Sequence, residues 1–174
     1  KNRLNVDVEI QDIFMHSKVE DLAAFLKGKK KGRNLPPIVA AERPVNVPLS
    51  FAQERLWFID RLQGSINYHI PALIRMNGQV DLVLLERALQ QLLVRHEVLR
   101  TVFEEKGGEA RQVILPIGDW GLTVTNFKGS NEALEAFIND RIHQAFDLTQ
   151  DKLIRAHFIQ LKKDEGLLLL VMHH

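Results

Sequence analysis

The sequence predicts a layered α/β domain built around a mixed sheet, with a short helical segment in front of it. Three observations carry this. From about residue 48 onward, helix and strand signals alternate in the order helix, strand, helix, three strands, helix, two strands. The run Leu167–Met172 has no polar face, as expected of a central strand covered on both sides. The chain is 174 residues long and 45% apolar, enough for a real core.

The elements follow in order. In "SKVEDLAAFLKG", Ser17 is placed to cap a helix, Glu20 completes a capping box, and Val19, Leu22, Ala23 and Leu26 recur at helical spacing. Lys27 suits the helix C-terminus and Gly28 a left-handed stop. "VEIQDIF" before it reads as a short helix or turn offering Ile10, Ile13 and Phe14. Two such helices bury little on their own. Residues 28–47 combine prolines, glycines and a lysine cluster without a period, which is linker composition. "LSFAQERLWFIDRL" reads as a helix capped by Ser50, burying Phe51, Leu56, Trp57 and Ile59. "YHIPALIRMNG" is a strand with Ile70, Ala72, Ile74 and Met76 on one face, and the single His69 reads as an ordinary strand residue.

In "DLVLLERALQQLLVRHE" the apolar stripe runs through Leu82, Leu85, Leu89, Leu92 and His96, with Glu86 away from it. Gly107 and Gly108 turn "LRTVFEE" back into "ARQVILP" as a hairpin. "LTVTNF" is a short strand. "SNEALEAFINDRIHQAF" is a helix capped by Ser130 that buries Leu134, Phe137, Ile138 and Ile142. "LIRAHFIQL" and "GLLLLVMHH" are strands joined through "KKDEG". The last strand needs a covering layer and neighbouring strands, some of which are expected to come from sequence beyond this chain.

Composition removes several function classes. A net charge of +1 gives no electrostatic case for nucleic acid. With no cysteine there is no disulfide, thiolate ligand or cysteine nucleophile in this chain. No apolar run approaches the ~20 residues that span a bilayer, and the basic, mixed first residues do not resemble a secretory signal. The expectation is a soluble cytoplasmic protein that binds neither membrane nor nucleic acid.

The chemistry-bearing residues are His173 and His174, at the end of the buried strand. Strand ends that open into a cleft are where α/β enzymes place reactive groups. Successive strand residues face opposite ways, so one imidazole turns toward the interior and the other toward a cleft. That geometry disfavours joint chelation of a metal, and no third ligand is evident, so no metal site is expected. A single imidazole in a cleft can accept a proton from an attacking amine or hydroxyl near neutral pH. Read by residue type alone, the pair also fits satisfied structural polar residues, or the start of an appended histidine run, although no spacer precedes it.

Two further strings stand out: "LSFAQERLWFID" at 49–60 and "RHEVLRTVF" at 95–103. Each alone is explained by packing. Together and in order with "MHH", they resemble the condensation domains of nonribosomal peptide synthetases. That family opens on a Ser-x-Ala-Gln-x-Arg-Leu-Trp pattern, matched by Ser50, Ala52, Gln53, Arg55, Leu56 and Trp57. It continues with Arg-His-Glu-x-Leu-Arg-Thr-x-Phe, matched by Arg95, His96, Glu97, Leu99, Arg100, Thr101 and Phe103. Its third motif is Met-His-His-x-x-x-Asp-Gly, of which Met172, His173 and His174 are present.

The resemblance implies a chloramphenicol-acetyltransferase-like two-layer sandwich, of which residues 48–174 form part of the first lobe. Residues 1–27 are similar to the closing helices of a peptidyl carrier domain, with 28–47 as the linker. The chain is then a segment of a longer polypeptide, inactive by itself. His174 is implied as the catalytic residue, with His173, Arg100 and Arg95 behind it in supporting or structural roles. No cofactor-binding residue falls in this segment. The implied cofactor, 4'-phosphopantetheine, is carried by upstream and downstream carrier domains, and its attachment serine lies outside the chain. Adenylation domains of the same assembly line are the other implied partners. The implied reaction is amide formation between a donor thioester and an acceptor α-amine. An epimerisation domain shares the histidine pair. A heterocyclisation domain is disfavoured because it carries aspartates at these positions. A non-catalytic module that docks carrier domains or recruits other enzymes usually loses the pair.

Overall fold

In a computed structural model, residues 8–29, 39 and 42–174 are described. The chain divides into two compact units, residues 1–42 and 43–174.

In the first unit, α1 spans Ile10–Met15 and α2 spans Val19–Gly28. The cap of α2 is Lys18, without a side-chain bond, so Ser17 does not cap it. Gly28 is the last helical residue and the chain leaves through an extended Lys29, not a left-handed glycine. Lys29 Nζ reaches Asp12 Oδ2 at 2.5 Å, and His16 stacks on Phe25 at 4.3 Å, which ties the two helices together. The linker expected at 28–47 falls largely on residues 30–38, 40 and 41, which lie outside the described residues.

The second unit holds two sheets, three α-helices and two short 3₁₀ helices at Ile66–Tyr68 and Glu97–Arg100. Its elements are β1 (Val47–Pro48), α3 (Phe51–Gln63), β2 (His69–Asn77), α4 (Leu82–Arg95), β3 (Thr101–Lys106), β4 (Glu109–Ile114), β5 (Thr123–Asn126), α5 (Asn131–His143), β6 (Ile154–Lys162) and β7 (Glu165–His173). The larger sheet has the order β2-β7-β6-β5 and the smaller β1-β4-β3. β5 runs parallel to β6 and the other pairs of the larger sheet are antiparallel, so the sheet is mixed. This is the predicted α/β architecture.

The first two motifs turn out to be architecture. Ser50 Oγ accepts from the Gln53 amide at 3.3 Å while Gln53 Oε1 accepts from the Ser50 amide at 2.8 Å, closing a reciprocal cap on α3. Gln53 also donates to Gln112 of β4 at 3.2 Å, fastening the helix to the hairpin. Trp57 is buried edge-on against Phe103 of β3. Phe51 is 92% exposed, contrary to expectation, because the first position of the helix points away from that core.

Arg100 of the second motif clamps the exit of α4. It donates to the carbonyls of Leu93 at 3.0 Å and Leu115 at 2.6 Å and contacts Glu97 at 3.4 Å. Arg95 is exposed in the last turn of α4. The buried stripe of α4 runs through Leu89 and Leu93 rather than Leu92, which is 45% exposed. Glu86 is not turned away either, since it accepts from the Leu122 amide at 2.9 Å. Gly107 and Gly108, at φ 66° and 83°, supply the left-handed pair that a two-residue hairpin turn needs.

β7 is flanked by β2 and β6, both from this chain, and Leu169 and Val171 are fully buried. Leu167, Leu169 and Val171 join Leu49, Trp57, Phe103 and Ile138 in one core. Both strand neighbours of β7 are thus supplied here, which is more than the sequence suggested. Among the described residues, no helix is long and apolar enough to cross a membrane.

Candidate active site

The candidate site is built around His173 of β7 and the adjoining His174. His173 pairs across the sheet with His69 of β2, and its amide donates to the carbonyl of Leu153 at 3.1 Å. The His174 amide donates to the carbonyl of Tyr68 at 2.9 Å, so backbone bonds on both sides hold the strand end. The Leu153 amide in turn donates to the carbonyl of Leu99 at 2.9 Å, which connects the strand end to the turn that Arg100 clamps. The strand end is thus linked to the turn beside Arg100 through backbone bonds, and Arg95 lies outside these contacts.

The two histidines differ in surroundings. His173 is 8% exposed, and its Nε2 lies 2.8 Å from Ser65 Oγ. Its Nδ1 lies 3.1 Å from the carbonyl oxygen of His174. His174 is exposed. Burial pushes the His173 imidazole below the ordinary histidine value; nearby His69 and His174 add to this, while the His174 backbone contact and Asp60 oppose it.

Ser65, Phe146 and Arg155 of this neighbourhood were not picked out by sequence pattern, and His69 was read only as an ordinary strand residue. Ser65 is buried and donates to Asp60 of α3 at 2.5 Å. His69 packs edge-on against Phe146 at 5.0 Å and 6.0 Å from His173, with Nδ1 donating to the carbonyl of Ile142 at 2.7 Å. Phe146 carries the Arg155 guanidinium 3.7 Å above its ring. Arg155 donates to the carbonyls of Gln144 at 2.7 Å and Ala145 at 2.6 Å, which fixes the segment presenting Phe146. Only the cross-strand pairing of His69 has a local sequence signal, its place at the start of a strand. The other contacts join residues far apart in the chain.

Residues 45–174 match the family model of the condensation domain. The chain belongs to the condensation-domain family of nonribosomal peptide synthetases.

It is 40% identical over 172 residues to the probable non-canonical nonribosomal peptide synthetase CymA of Salinispora arenicola, covering 98% of this chain and 2% of that protein. It is 36% identical over 177 residues to malpinin synthetase of Mortierella alpina, covering 98% of this chain and 2% of that one. The chain thus spans a few per cent of the length of these relatives. Among solved structures, the X-domain from teicoplanin biosynthesis, in its complex with OxyB, superposes with a TM-score of 0.71 at 32% identity over 79% of this chain and 30% of its own. The starter condensation domain of rhizomide synthetase superposes with a TM-score of 0.67 at 23% identity over 75% and 33%, a likeness of fold. These condensation-domain neighbours place the sandwich in the chloramphenicol-acetyltransferase-like class, of which residues 43–174 form part.

Proposed function

We propose that this chain is the opening part of a condensation domain that joins two carrier-bound substrates by an amide bond. In this reading residues 1–27 close a peptidyl carrier domain, 28–47 link it, and 48–174 begin the catalytic domain. Donor and acceptor arrive as thioesters on phosphopantetheine arms of partner carrier domains, charged by adenylation domains of the same assembly line. The acceptor amine attacks the donor carbonyl. The C–N bond forms, the C–S bond breaks, the amine proton passes to His174, and the thiolate leaves and takes up a proton. Tethering both reactants makes the encounter effectively intramolecular, which supplies much of the acceleration.

The observation that carries this reading is the match of residues 45–174 to the condensation-domain family. Beside it stands the enclosure of His173, 8% exposed and bonded to Ser65, next to His174 in the strand that carries the family's histidine pair. The likeness to an X-domain crystallised with OxyB favours a second reading, a module that recruits other proteins. The intact histidine pair supports catalysis over recruitment.

The test is His174→Ala in the full-length protein, assayed for amide formation on loaded carrier domains. Losing a positioned acid–base group is expected to slow the reaction ~10²–10⁴-fold. Product at the wild-type rate overturns the catalytic reading. Inverted α-carbons without amide formation in the wild-type protein would indicate an epimerisation domain.

A further inference from the structure

The proposed chemistry uses neither Asp60 nor Ser65, yet both are built into the site. Asp60 lies near the end of α3, which is capped by Gly64 at φ 77°. The turn carries Ser65 inward, where it is 3% exposed. Ser65 Oγ donates to Asp60 Oδ1 at 2.5 Å and lies 2.8 Å from His173 Nε2. The end of one helix and the end of the central strand are thereby joined by a chain of three side chains.

Donor and acceptor chemistry gives this chain a direction. A carboxylate only accepts, and a serine hydroxyl has one proton to give. With that proton directed at Asp60, Ser65 meets His173 as an acceptor, so His173 Nε2 carries the hydrogen. In the neutral ring Nδ1 is then a lone pair. Without the Asp60 carboxylate, Ser65 can turn its proton to Nε2 instead, and the Nε2–H tautomer loses its preference. His69 does not compete for this role, because its own Nδ1 proton is committed to Ile142.

We propose that Asp60 and Ser65 are positioning residues: they hold His173 as its Nε2–H tautomer and, through the backbone of β7, fix where His174 presents its imidazole. The inference rests on the reading of His174 as the catalytic residue.

The experiment measures kcat and acceptor KM for amide formation on loaded carrier domains, using the full-length protein. The variants are Ser65→Ala, Asp60→Asn, His173→Ala, the Ser65→Ala/His173→Ala pair and His174→Ala. Ser65→Ala is expected to lower kcat ~10- to 100-fold, the scale of a small misplacement of a reacting group, with acceptor KM unchanged. Asp60→Asn keeps the shape and an acceptor oxygen at a half-buried helix end, so it folds; it lowers kcat in the same direction and by less. In the His173→Ala background, Ser65→Ala adds nothing, because the pair acts only through His173. Wild-type kcat in both Ser65→Ala and Asp60→Asn, with His174→Ala inactive, overturns the positioning role alone. A further loss in the double variant also overturns it, since it would mark general damage to the fold. Wild-type activity in His174→Ala overturns the underlying reading instead.

Discussion

β2 and β7 lie side by side, paired residue for residue from His69↔His173 to Asn77↔Glu165, and both are rich in apolar side chains. Their fates are opposite. Leu169 and Val171 of β7 are fully buried, whereas Ile70, Leu73 and Ile74 of β2 are 44%, 49% and 48% exposed. The difference is position, not composition. β7 has strands on both sides and a packed core on its Leu167–Val171 face, whereas β2 has one strand neighbour among the described residues. Side-chain hydrophobicity says what a strand can bury; sheet order decides what it does bury.

The strongest way to break this comparison is Leu169→Ala. The side chain is fully buried in the middle of the sheet, and its neighbours on both strands are held by backbone pairing, so the site cannot collapse. A loss of ~2–5 kcal/mol is expected in chemical unfolding of the domain. A cost near zero would mean that β7 is not the central strand.

Gly166→Ala tests the same strand by addition. A Cβ at Gly166 would collide with the Phe158 ring, whose Cε1 lies 2.8 Å from the ideal Cβ position. Phe158 is itself 1% exposed and has little room to move. The expected cost is ~1–3 kcal/mol, partly recovered by Phe158→Leu. An unchanged midpoint in unfolding would show that the ring moves aside freely.

His173→Ala sharpens the comparison at the strand end. It leaves Ser65 with one partner fewer in a buried place, at an expected cost of ~1–3 kcal/mol. The pH dependence has a definite sign. Burial lowers the folded-state pKa of His173, and likewise that of His157, where burial leads and Arg141 and Arg155 add to it. Below the ordinary histidine value the unfolded chain binds more protons than the folded one. Stability is therefore full above pH 6.5, falls as pH drops from there toward the depressed folded values, and levels off below them. Unfolding midpoints measured across this range should flatten in His173→Ala/His157→Gln. A slope unchanged by both substitutions would place the titrating groups elsewhere.

The sequence was most legible where one local rule decided the outcome. The unbroken Leu167–Met172 run announced a central strand, Gly107-Gly108 announced a hairpin, and Ser50 and Ser130 announced helix starts. It misled where two local rules were nearly equal. Leu92 and Leu93 both continue a helical stripe from Leu89, at three and four residues, and only the packing partner chooses. Ser17 and Lys18 stand one residue apart, and the helix begins after the latter. The candidate site divides the same way. The histidine pair is a string that can be read, whereas Ser65 meets His173 across 108 residues and no period in the chain announces it.

The smallest expected effect belongs to Leu73→Thr, on the cross-strand partner of Leu169. Leu73 is about half exposed, and threonine supplies the β-branched shape that a strand favours, so the change is expected to cost less than ~1 kcal/mol. The substitution also makes the open edge less apolar, which should reduce association through it. Comparing two proteins makes the measurement decisive. In residues 1–174 alone, a small cost follows directly from the exposure of Leu73. In the full-length protein, a cost approaching that of Leu169→Ala would mean that another part of the polypeptide covers β2. The asymmetry between the two strands would then belong to this segment rather than to the whole domain.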